Sequence, residues 1–499
     1  MQLVAALCAI SATFSSGCKK MIEIEAPHNS ITSSVVYATD ASAASAIAGL
    51  YATFNISSTT SSPVTPSLYG GMSSDELVGN MGIGSPFDYQ FATNKLVKEN
   101  PNVDANLWVP QYKTINYANS IIEGVAASTS TLLTDSARKQ LVGEAKFMRA
   151  YSHLTLTGFF GDVPIVLTTD FNQTALLPRS AQSKVYQQVV TDLLDAQTLL
   201  RGDYNLTKNE RVRANKWAAT ALLARTYLYQ QNWKDAEAQA TSIINNTSLY
   251  SSVIPLSDVF LKNSKEAIFQ LIPSTVLSPY GIPDEASFTP TLAWSTLSTA
   301  DQATFLIPSL YSIYSAIFTP AYVCRPELAA AFETGDQRKT VWTANIPSPA
   351  SPPYNGVVTY YPHKYTQPLT PNLAQSAMTQ YQMILRLGEQ YLIRAEARAR
   401  QNNLTGAAAD INVIRARAGL LATTATSQTD MLAAVAQERR VELFSECGHR
   451  WFDLKRTGKA TEVLSAITIK QPFDPNQLLY PIPARETTTD PNLGQNPGY

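Results

Sequence analysis

Apolar positions recur at spacings of three and four over much of the chain, most clearly in residues 385 to 456. Leu385, Gly388, Leu392, Ala395 and Ala399 put small and aliphatic side chains on one helical stripe, with Glu396 and Arg400 set to pair at i,i+4 on the other side. Asn402, Asn403 and Gly406 break that helix, and Ala407, Ile411, Ile414 and Ala418 begin a second stripe that Gly419 closes. The same design recurs upstream: Trp217, Ala221, Ala224 and Leu228, a Gln230-Gln231-Asn232 turn, then Ala236, Ala240 and Ile243.

Two short helices cannot bury such stripes alone. Alanines where backbones must approach, with a short polar turn, are the pattern of a tetratricopeptide-type unit, whose period is about 34 residues. Further helices are predicted earlier. Asp40 caps one carrying Ala43, Ile47, Leu50, Tyr51 and Phe54. Trp108, Tyr112, Ile115, Asn119 and Ile122 share a second, Leu141, Ala145, Met148 and Ser152 a third, and Val185, Tyr186, Val189, Leu193 and Ala196 a fourth.

Two stretches break the period. Residues 77–106 are rich in glycine and asparagine, and Phe87, Tyr89 and Phe91 alternate as on a short strand or an exposed loop edge. Between 251 and 382, closely spaced prolines exclude long helices while aromatic residues stay frequent, and only 266–271 reads as a core strand. An irregular stretch of that length inside a globular chain normally carries function. The expected fold is mainly α: a helical scaffold over about 37–250 and 383–456, an irregular insertion over about 251–382 and a C-terminal segment 457–499.

Composition narrows the partners. Of 499 residues 45% are hydrophobic and only 15% charged, with a formal net charge of −1, so a nucleic-acid ligand has no electrostatic footprint to bind. The 24 tyrosines and many Ser and Thr make a polar, uncharged surface suited to neutral partners. The run from Met1 to Phe14 is too short to span a membrane and leads into Ser15-Ser16-Gly17-Cys18, the pattern of a lipoprotein signal in which residues 1–17 are removed and Cys18 is acylated. Cys324 and Cys447 then form neither a disulfide framework nor a metal cluster, and one bridge between them stays open. His28, His153, His363 and His449 lack metal-ligand spacing, and no nucleophile elbow or phosphate loop occurs, so no metal or cofactor is expected.

Gln437-Glu438-Arg439-Arg440-Val441-Glu442-Leu443-Phe444 followed by Gly448-His449-Arg450-Trp451-Phe452-Asp453-Leu454-Lys455-Arg456 resembles the C-terminal half of the SusD/RagB family of outer-membrane lipoproteins, with a departure at Cys447, just after Ser445 and Glu446. Gly143 to Tyr151, Phe160-Gly161-Asp162-Val163-Pro164, the acidic pair Asp75-Glu76, Tyr480-Pro481-Ile482-Pro483 and Asn492 to Tyr499 extend the likeness, though Asp490 replaces the usual asparagine. Taken by themselves, Glu438, Arg440, Glu442 and Arg450 among Leu443, Phe444 and Trp451 read as an ion network fixing helix register, and Asp162 as a turn residue bonding its own backbone.

The resemblance implies tetratricopeptide-like units on one side and a loop-rich ligand side on the other. It implies a lipid-anchored protein on the outer membrane that binds oligosaccharides and delivers them to a TonB-dependent, SusC-like transporter. A peptide ligand is the alternative, and a glycoside hydrolase using Asp75-Glu76 or Asp284-Glu285 the rival class. Family motifs specify scaffold, so the ligand residues are read from the chain: aromatic rings to cover the C–H faces of a sugar, drawn from residues 77–106 and 280–342. Trp294 comes first, set among Thr and Ser after Pro290, followed by Tyr280, Phe87, Tyr89 and Trp342, with Asn80 as a hydroxyl partner.

Overall fold

The structure, a computed structural model, describes residues 33–54, 65–79, 85–273, 282–367 and 372–499. Cys18, Asn80 and Tyr280 lie outside them. The principal helices are α1 (Asp40–Phe54), α2 (Thr65–Ser73), α3 (Pro86–Thr93), α4 (Val109–Ala127), α5 (Asp135–Phe160), α6 (Gln182–Leu199), α7 (Lys216–Tyr229), α8 (Trp233–Ile244), α9 (Thr299–Phe305), α10 (Pro308–Phe318), α11 (Leu387–Arg400), α12 (Leu404–Arg417), α13 (Gln428–Glu442) and α14 (His449–Arg456). Among the described residues, six short strands, β1 (Leu77–Gly79), β2 (Ala267–Leu271), β3 (Tyr322–Cys324), β4 (Thr343–Ile346), β5 (Thr359–Pro362) and β6 (Gln382–Arg386), pair antiparallel as β1–β3, β2–β6 and β4–β5.

Local chemistry sets the boundaries. Asn215 accepts from the Trp217 and Ala218 amides to start α7, and Asn403 accepts from Gly406 to start α12. The helices then stack in series, α4 on α5, α5 on α6, α6 on α7 and α7 on α8. The two predicted pairs join face to face: α8 packs on α11, burying Ala224, Leu228, Ala236, Ala240, Ile393 and Ala397 in one cluster. Behind it Ala395, Ala399, Ala407, Ile411, Met431 and Val435 close α11 against α12 and α13. Alanines at these contacts let the helix axes approach closely.

Three expectations change. Leu385 is buried in β6 and not on the helix, which starts two residues later. Glu396 pairs with Arg456 of α14, while Arg400 lies over the Trp233 ring, so partners from neighbouring helices displace the i,i+4 pair. Asp162 accepts from the Gln182 amide at 2.9 Å, acting on the start of α6 and not on its own turn.

Glu438, Arg440, Glu442 and Arg450 are all in ion pairs, but with partners from outside α13 and α14 and not with one another: Arg440 and Arg450 meet Asp75. Glu442 meets Arg338, Arg386 and Arg417; Glu438 meets Arg338 and Arg415; Glu446 meets Arg386 and Lys364; Glu266 meets Arg417. Arg338 and Lys364 belong to the irregular insertion, and Glu442 to the scaffold. The network therefore bolts one to the other. The C-terminal segment does the same beneath α2 and α5: the Tyr480 hydroxyl meets Ser73 Oγ at 2.6 Å, and Asn496 Nδ2 donates to the Phe160 and Tyr480 carbonyls.

Candidate functional site

The two irregular segments meet at the β1–β3 ribbon, where Leu77 faces Cys324, Val78 faces Val323 and Gly79 faces Tyr322. Next to it stands α3. The alternation of Phe87, Tyr89 and Phe91 does not become a strand, because Ser85 accepts from the Asp88 amide as N-cap, Pro86 pre-sets the first turn and Asn94 closes the helix in the left-handed region. On that helix Phe91 is buried, while Phe87 and Tyr89 are 43% and 44% exposed.

Between α3 and the ribbon lies an open cleft of about 210 Å³, lined by Met72, Val78, Asp88, Tyr89, Ala92 and Tyr322 among others. Asp88 is its polar anchor. One carboxylate oxygen accepts from the Tyr322 hydroxyl at 2.7 Å and the other from Asn102 Nδ2 at 2.7 Å, so both irregular segments fix it. Burial, reinforced by the Asp88 charge, pushes the Tyr322 phenol up and keeps it a donor. Two tyrosine rings flanking a fixed carboxylate offer apolar faces and strong acceptors side by side, as a polyhydroxylated ring requires.

The tryptophans sit elsewhere than expected. Trp342 is 1% exposed, edge-on to Phe260 at 5.5 Å, and donates through Nε1 to the Leu256 carbonyl at 3.0 Å. Trp294 is 6% exposed and packs on Phe318 at 5.1 Å, in a cluster with Val323, Ile346 and Tyr361. Both rings are packing elements under loops and leave no open face for a ligand. Tyr322 and Asp88 were not singled out. The available signal for Tyr322 was its place at the start of a short apolar strand after Pro320; Asp88 gave none.

Asp75, Glu76 and Asp284 are closed off. Asp75 is held by Arg440 and Arg450 at 2.6 and 2.7 Å; burial raises its carboxyl, but Arg450 and Arg440 outweigh that and keep it low. Burial and the Asp75 charge push Glu76 up to about 8. Opposite protonation states suit a hydrolytic pair, yet these residues are 1% and 2% exposed and line no part of the cleft. Asp284, likewise pushed up to about 8 by burial, receives a hydrogen bond from Gln382. Cys324 and Cys447 are separate buried thiols. Among the described residues no group of three or more metal-ligating side chains occurs, and no helix is long and apolar enough to cross a membrane.

Comparison with known proteins places this geometry in context. Residues 329–499 match the model of the SusD family, and residues 42–228 match a second model described as starch-binding associating with outer membrane. SusD-like protein P25 of Formosa agariphila is 24% identical over 79% of this chain and 80% of its own length. A SusD-like protein from Bacteroides fragilis superposes with a TM-score of 0.74 at 18% identity, covering 95% of this chain and all of that one. A laminarin binding SusD-like protein does so at 0.72 and 23%, covering 91% and 99%.

Proposed function

The chain belongs to the SusD family, and on that premise we propose that it is a cell-surface lipoprotein that captures a neutral or weakly charged oligosaccharide in the cleft between α3 and the β1–β3 ribbon. It then hands the glycan to a TonB-dependent, SusC-like transporter. The observation that carries the reading is the Tyr89–Asp88–Tyr322 constellation, where aromatic faces and a doubly anchored acceptor stand at the junction of the two irregular segments. The laminarin binding relative makes a glucan the first ligand to try. The chain acts as a binder and not a hydrolase, a reading supported by Asp75, which faces two arginines, and by Glu76 and Asp284, which are buried. Asn80 and Tyr280, which lie outside the described residues, stay candidates on the sequence alone.

Anchoring is assigned to Cys18. A diacylated or triacylated cysteine exceeds the marginal affinity of a single chain, so Cys18→Ala should release the protein from membranes. The stacked helices offer a broad rigid surface for the transporter, and the natively expressed protein solubilised in detergent should bring down a large barrel.

Calorimetry with laminarin- and starch-derived oligosaccharides, alongside peptides, tests the function. A glycan should bind without being cleaved, and Tyr89→Ala and Tyr322→Ala should each weaken it about five- to tenfold, the equivalent of roughly 1–1.4 kcal/mol. Peptide binding without glycan binding refutes the substrate class. Full affinity in both folded variants refutes the site.

A further inference from the structure

A second cleft, of about 300 Å³, opens among the scaffold helices, away from β1 and β3. It is lined by Gln182 and Tyr186 of α6, Tyr229 and Gln231 at the end of α7, and Phe452 and Lys455 of α14. Its floor is the last turn of α5, where carbonyl groups run out of intrahelical donors. Lys455 Nζ donates to one of them, Gly158 O, at 2.6 Å. Gly158 also makes room: a Cβ there would stand 2.7 Å from Phe452 Cε1. The Phe452 ring instead lies against the helix, 4.9 Å from the Phe159 ring and 6.1 Å from that of Tyr229.

The charges in this cleft are unevenly matched. Arg456 is fully engaged by Glu396 and Asp453, and Arg439 of α13 by Asp453. Lys455, one residue away, meets no carboxylate among the described residues: it donates to the Gly158 carbonyl and lies over the Trp451 ring at 5.5 Å, with no second hydrogen-bond acceptor. The Tyr186 and Tyr229 hydroxyls and the Gln231 carboxamide also have no hydrogen-bond partner among the described residues. A partly buried cation without a counter-ion is costly to keep. A ligand that brought both a carboxylate and hydroxyls would complete every one of these groups.

We propose that this cleft is a second carbohydrate site, selective for an acidic sugar: Tyr186, Tyr229 and Phe452 cover the C–H faces of a uronate residue, Gln182 and Gln231 meet its hydroxyls, and Lys455 takes its carboxylate. The inserted side chain of an acidic protein partner would engage Lys455 and leave the tyrosines and carboxamides unmatched, and the volume is that of a small-molecule site. The site stands independently of the first cleft, which presents a carboxylate and suits neutral sugars.

Protonation follows from the surroundings. Burial pushes the Lys455 amine down to about 7. The charged groups packed around it, Arg456, Asp453, Glu396 and Arg439, are paired with one another, and burial pushes Tyr186 up to about 12 and Tyr229 higher still. Lys455 is thus the group here that titrates near neutrality. A carboxylate binds the ammonium form, so affinity is full below about pH 7, falls as pH rises above it, and binding in that range takes up a proton.

Isothermal titration of the full chain with a glucuronate disaccharide and its carboxyl-reduced, neutral counterpart tests the proposal. The uronate should bind at least tenfold more tightly at pH 6.5, with the preference shrinking by pH 8.5 and proton uptake visible as a buffer-dependent enthalpy at pH 8. Lys455→Met should abolish the preference. Lys455→Arg, which keeps the charge and the carbonyl contact, should retain it without pH dependence or proton uptake. Tyr322→Ala should leave it intact, which separates this site from the first. Equal affinity for the two sugars, a preference that survives Lys455→Met in a folded protein, or binding of an acidic peptide alone would overturn the proposal.

Discussion

Glu442 is the carboxylate on which the scaffold and the irregular insertion converge, so Glu442→Gln is a direct probe of what holds them together. The side chain is fully buried and contacts three guanidinium groups, Arg338 from the insertion, Arg386 at the end of β6 and Arg417 of α12. Each contact near 3 Å is worth roughly 5 kcal/mol at an effective dielectric of about 20, and desolvation of the charges takes back most of that sum. Glutamine keeps the volume and removes the charge. Breaking a buried ion pair costs about 3–5 kcal/mol, and because Arg338 keeps Asp336 and Glu438, Arg386 keeps Glu446 and Arg417 keeps Glu266, the low end, about 3 kcal/mol, is expected. Burial raises the Glu442 carboxyl, but the pull of Arg417, Arg386 and Arg338 outweighs it and leaves the group well below the usual range. A depressed folded value means stability that is full above the unfolded value of about 4.3 and is lost as pH falls through the folded one. Urea denaturation at 25 °C should therefore show a constant deficit in the variant between pH 5 and 8 that shrinks below pH 4. A deficit under about 1 kcal/mol at pH 7, or one that persists unchanged into acid, would refute the reasoning.

Two further outcomes are expected. Glu76, raised to about 8 in the folded state, favours folding below the unfolded value near 4.3 and progressively less up to about 8. Glu76→Gln should then exceed the wild type by on the order of 2 kcal/mol at pH 8.5 and draw level below about pH 4, and an unchanging difference between the two pH values would contradict it. Trp342→Ala should cost about 3–5 kcal/mol, against about 0.5 kcal/mol for Tyr89→Ala on the exposed face of α3; the reverse ranking in urea midpoints would mean the two rings have been given each other's roles.

The scaffold was readable from the chain because its signal is local and repeated: stripes such as Ala395–Ala399 and Ala407–Ile411 carry their period within two turns, and caps such as Asn215 and Asn403 sit beside them. The cleft was readable only as a pair of segments. Its walls are joined by β1–β3, a pairing across more than 240 residues that leaves no trace in local periodicity. Tryptophan under a loop and tryptophan on one have the same neighbours in sequence, so Trp294 and Trp342 were indistinguishable from ligand contacts until burial separated them. Ser85 and Pro86 did announce a helix start, and a reading that weighed that cap above the alternation of Phe87, Tyr89 and Phe91 would have placed those rings on α3. Glu396 shows the converse error: correct spacing for a partner on its own helix, overridden by Arg456 arriving from α14.

The chain leaves the scaffold at the end of α8, returns at the start of α11, and those two helices pack on each other. The β2–β6 ladder, with Ala267 opposite Arg386, clamps the exit and the return at one place. Everything between is a loop closed on a fixed stem, and for such a loop a doubling of length adds only about 0.6 kcal/mol of closure entropy. The insertion is therefore an exchangeable cassette. It can be lengthened, shortened or grafted from a relative so long as Glu266, Arg338 and Lys364, or equivalents, stay to meet Arg417, Glu442 and Glu446 on the scaffold side.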